Sequence, residues 1–491
     1  MLLLQILLHS TIINRFVLIN KSMTKHEFLI IGSGPGGYTA AIRAAQLGYD
    51  VAIVEKENSL GGVCLNWGCI PTKSLLQSAS VYHNIKKADT FGITVKDVKF
   101  DFNKIIERSR NVVEKLANGI SGLMKKNKIK VYHGTAKLLG NATVEITDHS
   151  NKITSITSTH IVIAAGSQAK SIPGIDFDNN IVWNAKNAMM PNKFPESLLI
   201  IGSGAIGIEF ASFYNTFGTQ VTMVELKDNI LPLEDHEVSE CMHNILSNKG
   251  IKIHTNSSIT KLEKCNNYAK VQISDTIDLQ VDNIILAVGI IPNSSNIGLE
   301  NTKIKTDNAG FIITDKHCCT DEPRVYAIGD VAGSPCLAHK ASHEAILCIE
   351  NIAAGENKIP QHKVHTINKN NIPSCIFSIP QIASIGLTEH QAKHQGYNFK
   401  VGKFNANCSG KAVAIDEVEG FVKVIIDKST GELLGAHMIG AEVTEMINGY
   451  IIGKQVEITD QDIISAIFPH PTLSEMIHEA VLSSNNESLN S

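Results

Sequence analysis

Two cysteines five residues apart, Cys64 and Cys69, stand in the segment Leu60-Gly-Gly-Val-Cys-Leu-Asn-Trp-Gly-Cys-Ile-Pro-Thr-Lys-Ser74. Thiols at this spacing suit thiol–disulfide exchange, provided the chain bends between them. Five residues of regular helix rise about 7.5 Å, whereas the Cα atoms of a disulfide lie roughly 4.4–6.8 Å apart. Gly68 and Pro71 are suitable places for the bend. A short, bent disulfide is readily reduced and fits redox turnover better than structural stapling. An incidental pair and half of a zinc site are the other readings, but no second Cys/His cluster follows at a zinc spacing.

The pair lies just downstream of a glycine fingerprint, Phe28-Leu-Ile-Ile-Gly-Ser-Gly-Pro-Gly-Gly-Tyr38. An apolar strand runs into Gly32, Gly34 and Gly37, a helix is expected over Thr39–Leu47, and a second strand, Asp50–Val54, ends at Glu55. Gly32 permits a tight turn, Gly34 lets the backbone approach a pyrophosphate, and Gly37 allows helix and strand to pack closely. The helix N-terminus attracts the phosphates, and Glu55 can hold a ribose hydroxyl pair. The unit recurs in Leu198-Leu-Ile-Ile-Gly-Ser-Gly-Ala-Ile-Gly-Ile-Glu209, with Gly202, Gly204, Gly207 and, after Val221–Val224, Glu225. In both copies the acid follows the first glycine by 23 residues. Two matched fingerprints imply two nucleotide domains, one for a flavin and one for a nicotinamide. Glu225 would repel a 2′-phosphate, and only Lys227 lies close enough to oppose it, so NAD is expected rather than NADP.

At 491 residues the chain is long enough for three or four domains. It is 43% hydrophobic and 19% charged with a net charge of −4, a globular composition that makes no electrostatic case for nucleic acid. The ten cysteines are dispersed, and apart from Cys64 and Cys69 they read as reduced packing residues of a cytosolic chain. Cys318 and Cys319 are the next candidate pair, with nothing around them to supply chemistry. The apolar run Met1–Leu8 is too short to span a membrane and lacks the preceding positive region of a secretory signal. Residues 1–23 read as sequence upstream of a start at Met23, as a tail, or as an acid-free mitochondrial-type presequence carrying Arg15 and Lys21. His160–Gly166 and Asn283–Gly289 look like buried strands ending in glycine, and Tyr326–Val331 like a strand whose Asp330 can accept bonds from a polyol.

The ordered set GSGPGG, GGVCLNWGCIPTK, GSGAIGIE, AIGDV, CLAHKA and FPHPTLSE resembles the flavin-dependent disulfide oxidoreductases, and among them the branch that oxidises dihydrolipoamide. The likeness runs from about Thr24 to about Ser483. It implies an α/β fold of two Rossmann-like dinucleotide-binding domains, a central domain and a C-terminal α+β dimerisation domain. The expected boundaries are an N-terminal extension at 1–23, an FAD-binding domain at 24–170, an NAD-binding domain at 171–290, a central domain completing the FAD site at 291–360 and an interface domain at 361–491.

Carried over by position, the resemblance places Gly32, Gly34, Gly37, Glu55, Gly62, Lys73, Ala136, Asp330 and Ala338 at FAD, and Gly202, Gly204, Gly207, Glu225, Ile259 and Gly289 at NAD. It pairs Lys73 with Glu209, the lysine lying near the flavin and favouring its reduced, anionic form. Cys64 becomes the interchange sulfur and Cys69 the sulfur nearer the flavin. In His470-Pro-Thr-Leu-Ser-Glu475, Pro471 restricts His470 to extended backbone and can start the following helix, from which Glu475 can reach back to the imidazole. The resemblance makes this pair the general base for the dithiol, supplied by the partner subunit of a homodimer. No metal is expected.

The implied substrate carrier is the lipoyl domain on the E2 core of a 2-oxoacid dehydrogenase complex, or the glycine-cleavage lipoyl protein. No nucleic acid or membrane partner is expected, and the setting is cytoplasmic, or the mitochondrial matrix if residues 1–22 are a presequence. Two departures stand out: Gly289-Ile-Ile-Pro-Asn293 lacks an arginine that many relatives carry, and Phe468 replaces a further histidine. Glutathione reductase and a non-catalytic flavoprotein scaffold are the rival readings. The first is disfavoured by Glu225 and by Ala205 in place of a gating tyrosine, the second by the intact Cys64, Cys69, His470 and Glu475.

Overall fold

The computed structural model describes residues 24–364 and 366–490. The N-terminal extension, and the choice between an upstream start and a presequence, lie outside the described residues. The fold is α/β, and its contacts gather the chain into two units.

The first unit takes the described chain up to Asn66 together with Lys115–Gln168 and Ile291–Thr366. Its sheet runs in the order Lys130–His133, Val51–Glu55, Thr24–Ile31, Ile153–Ile163, Thr143–Thr147, Thr135–Gly140, with Val325–Ala327 joining Ile153–Ile163. The strands around Thr24–Ile31 are parallel, which explains why Phe28–Ile31 form an unbroken buried run where half-exposed strands alternate. Helix Pro35–Gln46 follows directly. It starts four residues earlier than expected because Pro35, already fixed near helical φ, serves as its first residue. It packs on helix Ala338–Gly355 through Gly36.

The second unit takes Trp67–Glu114, Ala169–Ile290 and the chain from Ile367 onward. A parallel sheet in the order Lys252–His254, Gln220–Val224, Ser197–Ile201, Asn283–Leu286, Val182–Trp183 repeats the arrangement around the first fingerprint. Helix Ala205–Thr216 packs against helix Cys69–Lys86. A three-stranded antiparallel meander, Ile259–Lys264, Ala269–Ile273 and Ile277–Val281, is inserted before the last long strand. The C-terminal part is an antiparallel sheet in the order Ser374–Ile376, Gln381–Gly386, Leu433–Gly440, Phe421–Asp427, Phe399–Asn405. Leu433–Gly440 is buried throughout. Helix Glu475–Ser484 lies so close to the edge strand that a Cβ on Gly402 would stand 1.9 Å from the Ala480 carbonyl oxygen. Among the described residues no helix is long and apolar enough to cross a membrane.

Candidate functional site

In the first fingerprint a Cβ on Gly37 would stand 1.8 Å from the Gly32 carbonyl oxygen, so only glycine lets this helix start so close to its strand. Gly32 itself has φ +98°. The turn Gly61–Gly62 lies over the loop: a Cβ on Gly62 would come within 2.6 Å of Gly34 Cα. Glu55 is buried, and its Oε2 accepts from the Ser33 N–H at 2.8 Å and the Ser33 hydroxyl at 2.6 Å, while Oε1 accepts from the Glu57 N–H at 2.9 Å. A carboxylate offers about four acceptor positions, so Oε1 keeps capacity for a ribose hydroxyl. Helix Pro35–Gln46 has no side-chain cap, which leaves its first N–H groups to a phosphate. These residues fit a dinucleotide.

Asp330 sits in the turn after strand Val325–Ala327 and accepts from the Ser167 hydroxyl at 2.7 Å. Ala338 is the first residue of its helix, and Ala136 is buried in strand Thr135–Gly140. All of the expected FAD residues except Lys73 thus fall in the first unit.

The second fingerprint repeats this bond for bond, 170 residues on. Ser203 donates to Glu225 Oε2 from N at 2.9 Å and from Oγ at 2.7 Å, and the Lys227 N–H donates to Oε1 at 3.0 Å. A Cβ on Gly207 would stand 2.1 Å from the Gly202 carbonyl oxygen, and the space beside Gly204 is open. Helix Ala205–Thr216 is likewise without a side-chain cap. Gly289 is exposed with φ +112°, and Ile259 opens the meander. Here too the residues fit a dinucleotide.

Cys64 lies on the short helix Gly62–Trp67 and Cys69 opens helix Cys69–Lys86, both half-buried. The bend between them falls at Gly68, with φ −140° and ψ −118°, while Pro71 belongs to the first helical turn, where a missing N–H costs nothing. Cys64 belongs to the first unit and Cys69 to the second. Lys73, one turn on from Cys69, meets Glu209 Oε1 at 2.7 Å and Oε2 at 3.0 Å. Its ammonium stands 4.5 Å from the Phe377 ring centre, and the Phe377 N–H donates to the same Glu209 at 2.9 Å.

At the C-terminus Glu475 Oε1 lies 2.9 Å from His470 Nδ1, and Oε2 accepts the Thr472 N–H at 2.8 Å. Partial burial pulls this carboxyl upward, but the Thr472 N–H and the imidazole outweigh it and hold Glu475 below the usual carboxylate range. With Nδ1 engaged, Nε2 is the atom left to exchange a proton. The His470 side chain is 78% exposed. One expectation needs correction: Pro471 does not start the helix. The helix begins at Glu475, and residues 471–474 form a turn in which the Thr472 hydroxyl donates to the Pro469 carbonyl. The carboxylate, not the proline, marks the first turn.

Of the other cysteines, Cys318 and Cys348 are buried and Cys408 is exposed. Burial pushes the Cys319, Cys336 and Cys375 thiols up to about 11, and those of Cys318 and Cys348 higher still. Four contacts escaped the sequence reading: Ser33 and Ser203, which donate to Glu55 and Glu225, Ser167 at Asp330, and Phe377 under Lys73. The first two were findable, since both copies read Gly-Ser-Gly. The other two depend on contacts across more than 160 positions.

Paired dinucleotide cradles, a Cys-x4-Cys pair between them in sequence and an antiparallel C-terminal sheet followed by a His–Glu pair define a two-nucleotide disulfide oxidoreductase. Residues 26–345 match the pyridine nucleotide-disulphide oxidoreductase family and residues 372–481 its dimerisation domain, and the chain belongs to that family. It is 46% identical over 469 residues to the dihydrolipoyl dehydrogenase of Zymomonas mobilis subsp. mobilis, covering 94% of this chain and 98% of the relative. With the dihydrolipoyl dehydrogenase of Rhizobium etli the identity is 45% over 484 residues, covering 95% and 99%. Among solved structures, a Cu(II) complex of the HOCl-induced flavoprotein disulfide reductase RclA from Escherichia coli superposes with a TM-score of 0.84 at 27% identity, over 94% of this chain and 99% of that one.

Proposed function

We propose that this chain is a dihydrolipoyl dehydrogenase, which oxidises protein-bound dihydrolipoamide to lipoamide and reduces NAD to NADH. The observation that carries the reading is the oriented, outward-facing imidazole of His470, held at Nδ1 by Glu475. A base so placed serves a substrate presented from outside its own subunit. Relatives bearing that enzyme's name, matched over nearly the whole chain, set the substrate class.

In the mechanism we assign, His470 Nε2 removes a proton from one thiol of dihydrolipoamide. The thiolate attacks Cys64 of a Cys64–Cys69 disulfide, forming a mixed disulfide and releasing the Cys69 thiolate. The second substrate thiol then attacks the substrate's own sulfur, its proton passing by way of His470 to the departing Cys64, so that lipoamide leaves and both cysteines are reduced. Glu475 fixes the tautomer and stabilises the imidazolium. FAD and NAD supply the hydride chemistry that carries the two electrons away when they are bound. FAD is assigned to Gly32, Gly34, Gly37, Glu55, Gly62, Ala136, Asp330 and Ala338, with Lys73 adding positive charge. NAD is assigned to Gly202, Gly204, Gly207, Glu225, Ile259 and Gly289.

A homodimer completes the reading, each His470 serving the partner's cysteines. The dimerisation-domain match supports it, as does Ile467, almost wholly exposed beside the dyad. The partner is a lipoyl domain of a 2-oxoacid dehydrogenase complex or of glycine cleavage, and the setting is cytoplasmic, as in a bacterial cell. The domain division at 170, 290 and 360 belongs to the same proposal. The test is NAD reduction by dihydrolipoamide with the purified protein, set against NADPH oxidation by glutathione disulfide. Activity only in the second assay would favour the glutathione-reductase reading.

A further inference from the structure

We propose that Lys423 is a positioning residue for the nicotinamide half of the reaction, bracing the turn that shapes the Gly202–Glu225 cradle. This deepens, and rests on, the assignment of that cradle to NAD.

Lys423 lies in a central strand of the C-terminal sheet and is 1% exposed. Its ammonium meets three carboxylates: Asp235 Oδ1 at 2.9 Å, Glu237 Oε2 at 2.9 Å and Glu389 Oε2 at 2.6 Å. Lys403 approaches the other oxygen of Glu237 at 3.0 Å, and His437, paired with Lys423 across the sheet, turns its Nε2 to the Leu387 carbonyl oxygen. Buried ion clusters of this kind contribute little net stability over apolar packing, so stability alone does not account for it.

What the cluster holds is the start of helix His236–Asn248. Asp235 caps that helix by accepting the Glu237 N–H at 3.2 Å, and its other oxygen accepts the Glu389 N–H at 3.1 Å. From the first turn of the helix, the Ser239 hydroxyl donates to the Leu231 carbonyl at 3.1 Å. The Leu231 N–H donates to the Ser203 carbonyl at 3.1 Å. Ser203 is the residue that grips Glu225 twice. A continuous run of bonds, all within the second unit, therefore joins Lys423 to the ribose acid.

The first repeat shows why the brace is needed. There the same turn is made by Gly61, whose N–H donates to the Ser33 carbonyl at 3.0 Å and whose φ of +108° suits glycine. Its counterpart Leu231 sits at φ +50°, where a leucine is strained and persists only if its surroundings hold it. The ion cluster, through Asp235 and Ser239, provides that hold.

The experiment uses the FAD-loaded enzyme carrying Lys423→Met. KM for NAD should rise about three- to thirtyfold, the range for coupling through residues that do not touch the ligand, with kcat at saturating NAD nearly unchanged. FAD content, and reduction of the enzyme by dihydrolipoamide without NAD, should match wild type. Without the lysine, Asp235 and Glu237 should take up protons more readily, so lowering the pH from about 8 to about 6 should shrink the KM penalty. Wild type should show no such relief: burial pulls both carboxyls upward, but His437 and then Lys423 hold Asp235, and Lys423 and Lys403 hold Glu237, below the usual carboxylate range. Adding Leu231→Gly should restore NAD affinity in the Lys423→Met enzyme, because the turn then needs no brace. If Lys423→Met does not fold, Ser239→Ala cuts the last link alone and should raise KM for NAD in the same direction. An unchanged KM in the folded variant overturns the positioning role and leaves the NAD cradle standing. A wild-type enzyme that does not bind NADH overturns the cradle assignment, and this inference with it.

Discussion

The two dinucleotide folds share their fingerprint bonds one for one and differ in what covers them. In the first, Gly36 is buried against helix Ala338–Gly355, where a Cβ would stand 3.3 Å from the Ala341 carbonyl oxygen, and Gly62 presses on Gly34 from the other side. In the second, the position of Gly36 is taken by Ile206, 44% exposed, Pro232 stands where Gly62 does, and nothing lies within 4 Å of the space beside Gly204. Helix Ala205–Thr216 is covered only further along, from Glu209 onward. The same backbone thus makes an enclosed cradle and an open one. Enclosure suits a resident cofactor and openness one that must leave each cycle. The loop after each acid also diverges in purpose: past Gly61 it runs into the Cys64 helix, and past Leu231 into the Asp235–Lys423 cluster.

The largest expected effects break the link between the enclosed cradle and its dithiol. Cys64→Ser and Cys69→Ser should each lower lipoamide turnover by about 10⁴-fold or more, the scale of losing a covalent nucleophile, while FAD stays bound. Near-normal activity in either would remove the redox assignment. Only Cys69→Ser should also abolish the thiolate-to-flavin charge-transfer band of the two-electron-reduced enzyme.

Next in size is His470→Gln, expected to slow dithiol oxidation by about 10²–10⁴-fold, the usual worth of a general base. NADH-to-dye activity, which bypasses dithiol deprotonation, should survive, and a parallel loss of both would make His470 structural. Because Glu475 is held below the usual carboxylate range, it stays ionised as the pH falls through that range and should not set the acid limb of the wild-type profile. Mixing His470→Gln with Cys64→Ser under subunit exchange should recover activity in heterodimers that hold one intact site.

A smaller effect sharpens the contrast between the nucleotides. Wild type should prefer NAD over NADP by about a hundredfold in kcat/KM, roughly 2.7 kcal/mol, since a 2′-phosphate would face the Glu225 carboxylate. Glu225→Ala should shrink that ratio mainly by weakening NAD. Comparable efficiency with NADP in wild type would return the glutathione-reductase reading. Smallest of all, Gly36→Ala should destabilise the first fold by about 1–3 kcal/mol through overpacking, whereas Ile206→Ala, at an exposed site, should change stability by less than about 0.5 kcal/mol. Thermal unfolding of the two variants side by side decides this.

Much of this was legible in the residues. The strand–glycine–helix turns and the acids that close each unit, Glu55 and Glu225, follow from local rules, and strand Val51–Glu55 differs from expectation by one residue at each end. The His470–Glu475 contact could be read because both partners lie within six residues. Local rules failed where geometry is settled at longer range. The start of the last helix was misplaced because Pro471 belongs to a turn closed by the Thr472 hydroxyl on Pro469. Lys423 gave no signal, since a lysine in an apolar run reads as solvent-facing until Asp235, 188 positions away, is seen to meet it.

The most direct test of enclosed against open is nucleotide content after purification and extended dialysis with no nucleotide added. The account predicts close to one FAD per chain by absorbance and no retained NAD, with NADH then binding reversibly on titration. Loss of FAD under these conditions, or co-purification of NAD with the second fold, would contradict it.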